Sequence, residues 1–192
     1  MGSDAPESPR EKRKRLFFAL WPDAKVRQSL ARIASRSLKR RGRAVPAENL
    51  HLTLAFLGAV PADRQRCMER VADNLAADTF ELAFNHLGYW PRPRVIWSGC
   101  EDTPEALLLL VDALRQGMRR CGLEPEIRPY RAHMTLARKA SVAPTFGASH
   151  DTVEWRIGEF HLVESKTLSS GARYETLRSW KLTEANLGHP SQ

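Results

Sequence analysis

From Arg15 to Leu20 the chain reads RLFFAL, an apolar run stopped by Trp21-Pro22 that predicts a buried strand. The spacing then changes. Val26, Leu30, Ile33 and Leu38 recur at helical intervals from Asp23 to near Gly42, which predicts a helix. HLTLAFLG, residues 51–58, returns to the strand pattern and is closed by Gly58 and Pro61. A second helix is expected from about Ala62 to Ala76, with Met68, Val71 and Leu75 on one face. Phe80–Phe84 and Arg94–Ser98 read as strands around a Gly/Pro turn region. Thr103 offers a cap and Pro104 a first position for a third helix. Its apolar stripe is Leu107, Leu110, Val111, Leu114 and Met118, and Gly122 ends it. HMTLAR follows as a strand. Two long strands, Trp155–Leu168 and Tyr174–Glu184, joined by a turn around Ser170-Gly171, complete the pattern.

The order repeats. A strand, a helix and an HxTLA strand run from Arg15 to Leu57 and again from Arg94 to Arg138, with HLTLA at 51–55 and HMTLA at 133–137. The expected class is α+β, a bilobal fold duplicated about a pseudo-twofold axis. Each lobe is a small, mostly antiparallel sheet with helices on its outer face, and the two HxT strands line a central cleft. Residues 15–185 are expected to form this single two-lobed domain. Residues 1–14 lack periodicity and are rich in Pro, Ser, Glu and Arg, the pattern of a disordered leader, and 186–192 form a C-terminal tail.

Composition narrows the class. With 192 residues, 42% hydrophobic and 27% charged, the chain fits a soluble globular protein. Its longest apolar run, Ala106–Val111, is far short of a membrane helix, and the N-terminus has no apolar signal-peptide core. No membrane association and a cytoplasmic address are expected. Cys67, Cys100 and Cys121 are odd in number and widely spaced, with no CxxC pair, so neither a disulfide framework nor a zinc site is expected. The net charge is +8, to which Met1–Arg15 contributes only +2, from five basic and three acidic residues. Arg36, Lys39, Arg40, Arg41 and Arg43 form a denser cluster. That balance suits an anionic partner, nucleic acid first, although a solvated basic loop would carry the same residues.

Strand alternation gives the repeat its chemistry. His51 and Thr53 share one face, with Leu52, Leu54 and Phe56 on the other; His133 and Thr135 likewise oppose Met134 and Leu136. Facing lobes would bring two imidazoles and two hydroxyls into one cleft. Displacement at a phosphodiester needs a base for the nucleophile and an acid for the leaving oxygen, and histidine serves in either state near neutral pH. The threonines could hold phosphate oxygens between them. Two histidines could also ligate zinc, but a catalytic site usually needs a third ligand. No Asp, Glu, Cys or His shares their face within either motif, and His86, His150, His161 and His189 show no ligand spacing, so no metal or cofactor is expected.

RLFFALWP, NLHLTLAFLG and RPYRAHMTLAR together resemble the two-histidine phosphoesterases, specifically the bacterial RNA 2',3'-cyclic phosphodiesterases once named 2'-5' RNA ligases. The resemblance spans about Arg15 to Leu182. It implies metal-independent hydrolysis of RNA 2',3'-cyclic phosphate ends to 2'-phosphomonoesters, with reverse 2'-5' ligation as a weaker activity. By position, His51 matches the proton donor, His133 the proton acceptor, and Thr53 and Thr135 the phosphate-binding hydroxyls. Arg138 matches an arginine near the site, although strict alternation would turn it away from His133. The expected partner is RNA with cyclic phosphate ends or a related cyclic nucleotide, bound by a monomer with no obligate protein partner. Two other readings stay open: a non-catalytic RNA-binding module on the same fold, and a related phosphodiesterase acting on a small cyclic nucleotide.

Overall fold

The computed structural model describes residues 12–38, 42–141, 149–169 and 171–184. Most of the expected leader, Lys39–Arg41 of the basic cluster and the C-terminal tail lie outside the described residues. The elements are β1 (Lys14–Leu20), α1 (Ala24–Leu38), β2 (Arg43–Ala44), a 3-10 turn (Ala47–Asn49), β3 (Leu52–Val60), α2 (Ala62–Asp73) and β4 (Phe80–Trp90). They continue with β5 (Val95–Cys100), α3 (Glu105–Arg120), β6 (His133–Arg138), β7 (Ser149–Ile157), β8 (Glu159–Leu168) and β9 (Gly171–Lys181).

The strands form one sheet in the order β7-β4-β5-β6-β3-β1-β8-β9, with β2 pairing off this path to β6. Every neighbouring pair is antiparallel. The order is symmetric about its centre. The repeated strands β3 and β6 meet there through Leu52 and Met134, flanked by β1 and β5, then β8 and β4, then β9 and β7. The helices cross the centre: α1 packs on β6 and β7, while α3 packs on β3. Each helix thus buries its stripe on the half to which its own HxT strand does not belong. Leu30, Leu107, Leu110, Leu114, Leu52 and Met134 all join one continuous core.

Three expectations need correction. Trp155–Leu168 is two strands, because β7 pairs with β4 and β8 with β1 in the other half, so the chain breaks at Gly158 to cross over. Thr103 does not cap α3; Pro104 holds the cap position without a side-chain hydrogen bond. Cys67 and Cys121 form a disulfide, joining α2 to the residue after α3. Neither odd number nor spacing could reveal that bond, because the packing of α2 on α3 brings the thiols together. An Arg64 guanidinium of α2 also donates to the Cys121 carbonyl. Gly122 then takes φ +67, a left-handed conformation suited to glycine, and Leu123 N–H closes on the Met118 carbonyl at 2.8 Å. This stop directs residues 123–132 along the cleft towards β6.

Candidate active site

Both copies of HxTLA carry a β-bulge at the same place. Thr53 pairs with Ala19 and Ala55 with Phe18, so Leu54 is an extra residue; Thr135 pairs with Trp97 and Ala137 with Ile96, so Leu136 is extra. A bulge sends two successive residues to one side and reverses the alternation beyond it. Leu54 with Ala55, and Leu136 with Ala137, are buried accordingly. The sixth residue of each motif, Phe56 or Arg138, therefore returns to the face of the histidine and threonine. This corrects the expected placement of Phe56 and removes the objection to Arg138. Within the two motifs, alternation is broken at the same position.

His51, Thr53, His133, Thr135 and Arg138 line one recess of about 240 Å³. The two imidazoles are held alike. His51 Nδ1 lies 2.7 Å from the Asn49 carbonyl and His133 Nδ1 lies 2.8 Å from the Arg131 carbonyl, each two residues back. A carbonyl only accepts, so each Nδ1 donates and, in the neutral ring, Nε2 is left as the free basic nitrogen. Around His51 stand Phe17, Trp21 and Tyr174, with ring centres at 5.1, 5.3 and 5.0 Å. Trp90 packs edge-on against His133 at 4.5 Å. Trp97 lies behind it, so close to Gly88 that a Cβ there would enter the indole ring.

These walls set the electrostatics. Burial, reinforced by the Arg138 and His133 charges, lowers the His51 pKa to about 4 against the pull of its Asn49 hydrogen bond. Burial also lowers His133, helped by Arg128 and Arg138 and opposed by the Arg131 carbonyl and Glu126. Both rings are thus neutral at pH 7. Arg128, Arg131 and Arg138 all line the wider cleft of about 600 Å³ that continues from the recess. Tyr130, its phenol pushed up by burial and so held as a donor, binds the Thr53 carbonyl at 3.0 Å and ties the β6 approach to β3. Among the described residues no three His, Cys, Asp or Glu come together as metal ligands.

Residues 21–167 match the model of a family described as the 2'-5' RNA ligase superfamily. The chain belongs to that superfamily. Among its relatives, an Escherichia coli protein named RNA 2',3'-cyclic phosphodiesterase is 36% identical, over 89% of this chain and 98% of that one. A protein of the same name from Thermus thermophilus is 31% identical, over 88% of this chain and 90% of that one. The crystal structure of E. coli LigT in apo form superposes with a TM-score of 0.84 at 34% identity, covering 90% of this chain and 99% of that one. LigT complexed with 3'-AMP gives 0.84 at 35% identity, with the same coverage. The superfamily's fold, a mostly antiparallel curled sheet with helices, is the one described above.

Sequence reading missed the aromatic walls and the arginines at 115, 128 and 131. RPYRAH did contain a signal for part of this, since Arg128, Tyr130 and Arg131 immediately precede the second histidine. Phe17, Trp90 and Tyr174 come from three strands distant in sequence, and no local pattern marks them.

Proposed function

We propose that this chain hydrolyses the 2',3'-cyclic phosphate at RNA ends to a 2'-phosphomonoester, by acid–base catalysis between His51 and His133 and without metal. The observation that carries this reading is the matched pair of imidazoles. Each is locked by an i−2 carbonyl and leaves its Nε2 free in a recess that also holds Thr53, Thr135 and Arg138. His133 Nε2 takes a proton from water as its oxygen attacks phosphorus. His51 Nε2 gives a proton to the departing 3'-oxygen, in line with the attack. The Thr53 and Thr135 hydroxyls donate to the non-bridging oxygens, and Arg138 offsets the charge that builds there. With its pKa lowered to about 4 by burial, His51 is neutral at pH 7. Its role as acid therefore requires the anionic phosphate to raise its pKa on binding. Ligation through a 2'-5' linkage uses the same groups in the same roles: an RNA 5'-hydroxyl replaces water as the nucleophile deprotonated by His133, and His51 again protonates the departing 3'-oxygen.

We infer a monomer acting on RNA, since both halves of the site lie within one chain. We infer a cytoplasmic address from an RNA substrate. No helix among the described residues is long and apolar enough to cross a membrane. The Cys67–Cys121 bond is shielded on one side: Cys121 is buried and Cys67 half-buried, so thiol exchange would have to proceed through the Cys67 sulfur. The reading is tested with an oligonucleotide ending in a 2',3'-cyclic phosphate, in chelator, with the product identified by phosphorus NMR. A 2'-phosphate is expected. A 3'-phosphate would reverse the acid and base assignments, and dependence on added metal would overturn the mechanism.

A further inference from the structure

The cleft continues past the catalytic recess along β3, and there its chemistry changes. The Leu54 bulge turns Phe56 onto the cleft face, 37% exposed in a protein whose other phenylalanines are mostly buried. Arg15 of β1 lies over the Phe56 ring, its Cζ 4.7 Å from the centre. Across the limb stand Arg115 of α3, whose guanidinium is 6.0 Å from the Tyr130 ring centre and donates to the Arg128 carbonyl, and Pro125. Glu126 is the acid lining this limb, and Arg128 pairs with it at 2.9 Å. Arg15 and Arg115 therefore keep their charge available. Phe56 holds in its half of the molecule the place that Arg138 holds in the other. One bulge delivers a cation to the phosphate; its twin delivers an aromatic face.

We propose that this limb binds the nucleotide immediately 5' to the cyclic phosphate end, its base on Phe56 and Arg15 and its phosphate towards Arg115. The proposal rests on the RNA reading above and specifies its substrate as an RNA end of at least two nucleotides. Two features favour the neighbouring base over the terminal one. The catalytic recess has its own aromatic and apolar wall, formed by Trp90, Pro93 and Val95, against which the terminal nucleotide can lie. Phe56 is three residues further along β3 than Thr53, roughly 7–10 Å at the rise of a strand. An aromatic platform beside cations, tolerant of every base, is how single-stranded nucleic acid is held without sequence readout.

The test compares kcat/KM for a cyclic mononucleotide and for a dinucleotide with the same cyclic phosphate end. Wild type is expected to prefer the dinucleotide. Phe56→Ala should lower that preference roughly 5- to 150-fold, the loss expected for one stacked base. Phe56→Tyr should retain it, and a thermal melt of each variant reports folding. Arg15→Gln should lower the preference and flatten its salt dependence. The proposal is overturned if wild type shows no preference, or if Phe56→Ala lowers both substrates equally. If wild type turns over neither substrate, the activity reading fails instead. Binding then decides the limb: a 2'-phosphorylated dinucleotide must outbind its mononucleotide, with the difference lost in Phe56→Ala.

Discussion

Leu52 of β3 pairs with Met134 of β6, both side chains fully buried, at the junction of the two half-sheets. The pairing is antiparallel, so it carries His51 towards Thr135 and Thr53 towards His133. One apolar pair in the core thereby sets the spacing of all four polar groups on the opposite face.

His51→Ala and His133→Ala should each lower kcat about 10²- to 10⁴-fold, because each removes one proton-transfer partner. The double variant should be little worse than either single one, since the pair acts as a unit. Steady-state rates on a cyclic-phosphate-ended oligonucleotide check this. A single variant with near wild-type kcat would remove that histidine from the mechanism.

The pH profile should be displaced to the acid side. Both imidazoles titrate below the ordinary 6.5 in the free protein, His51 at about 4. Since kcat/KM reports the free enzyme, it should fall as pH rises above 6.5, where neither ring is protonated. Titrating the His51 ring by NMR should give a midpoint near 4 that rises when 2'-AMP binds. A midpoint at 6.5, unmoved by the nucleotide, would contradict the buried site.

Stability follows the same depression. The folded pKa of His51 lies below its unfolded value, so between about pH 4 and 6.5 the unfolded chain binds more protons. The contribution is whole above pH 6.5 and is lost as pH falls towards 4. Denaturant midpoints measured across that window should decline on acidification, and by less in His51→Phe.

Gly88→Ala should damage the site from beneath. A methyl there would collide with the Trp97 ring, which supports Trp90 and His133. A loss of about 1–3 kcal/mol is expected from overpacking, with kcat reduced as His133 shifts. Full activity with unchanged stability would show that Trp97 can move freely.

Thiol titration of the denatured, unreduced protein should return one free thiol, Cys100. Three would show that the Cys67–Cys121 bond is not formed. Closing a loop of sequence separation 54, the bond should stabilise the fold by about 2–4 kcal/mol. Cys67→Ser should lower the melting temperature accordingly.

The sequence by itself determined the repeat, and with it the α+β duplication, the two HxTLA strands and the shared face of His51 with Thr53 and of His133 with Thr135. Apolar periodicity is local, so the faces of α2 and α3 and the pairing of strand, helix and HxTLA strand could be read directly. Tertiary structure alone decided which half each later strand joins, since β7 and β8 are contiguous in sequence yet pair at opposite ends of the sheet. It also decided the phase of the strands beyond Leu54 and Leu136. A bulge arises from the fit of one strand against its neighbour, and HLTLAF read alone obeys simple alternation. That single extra residue, placed twice, brings Arg138 and Phe56 into the cleft, where the pattern of the chain had put neither.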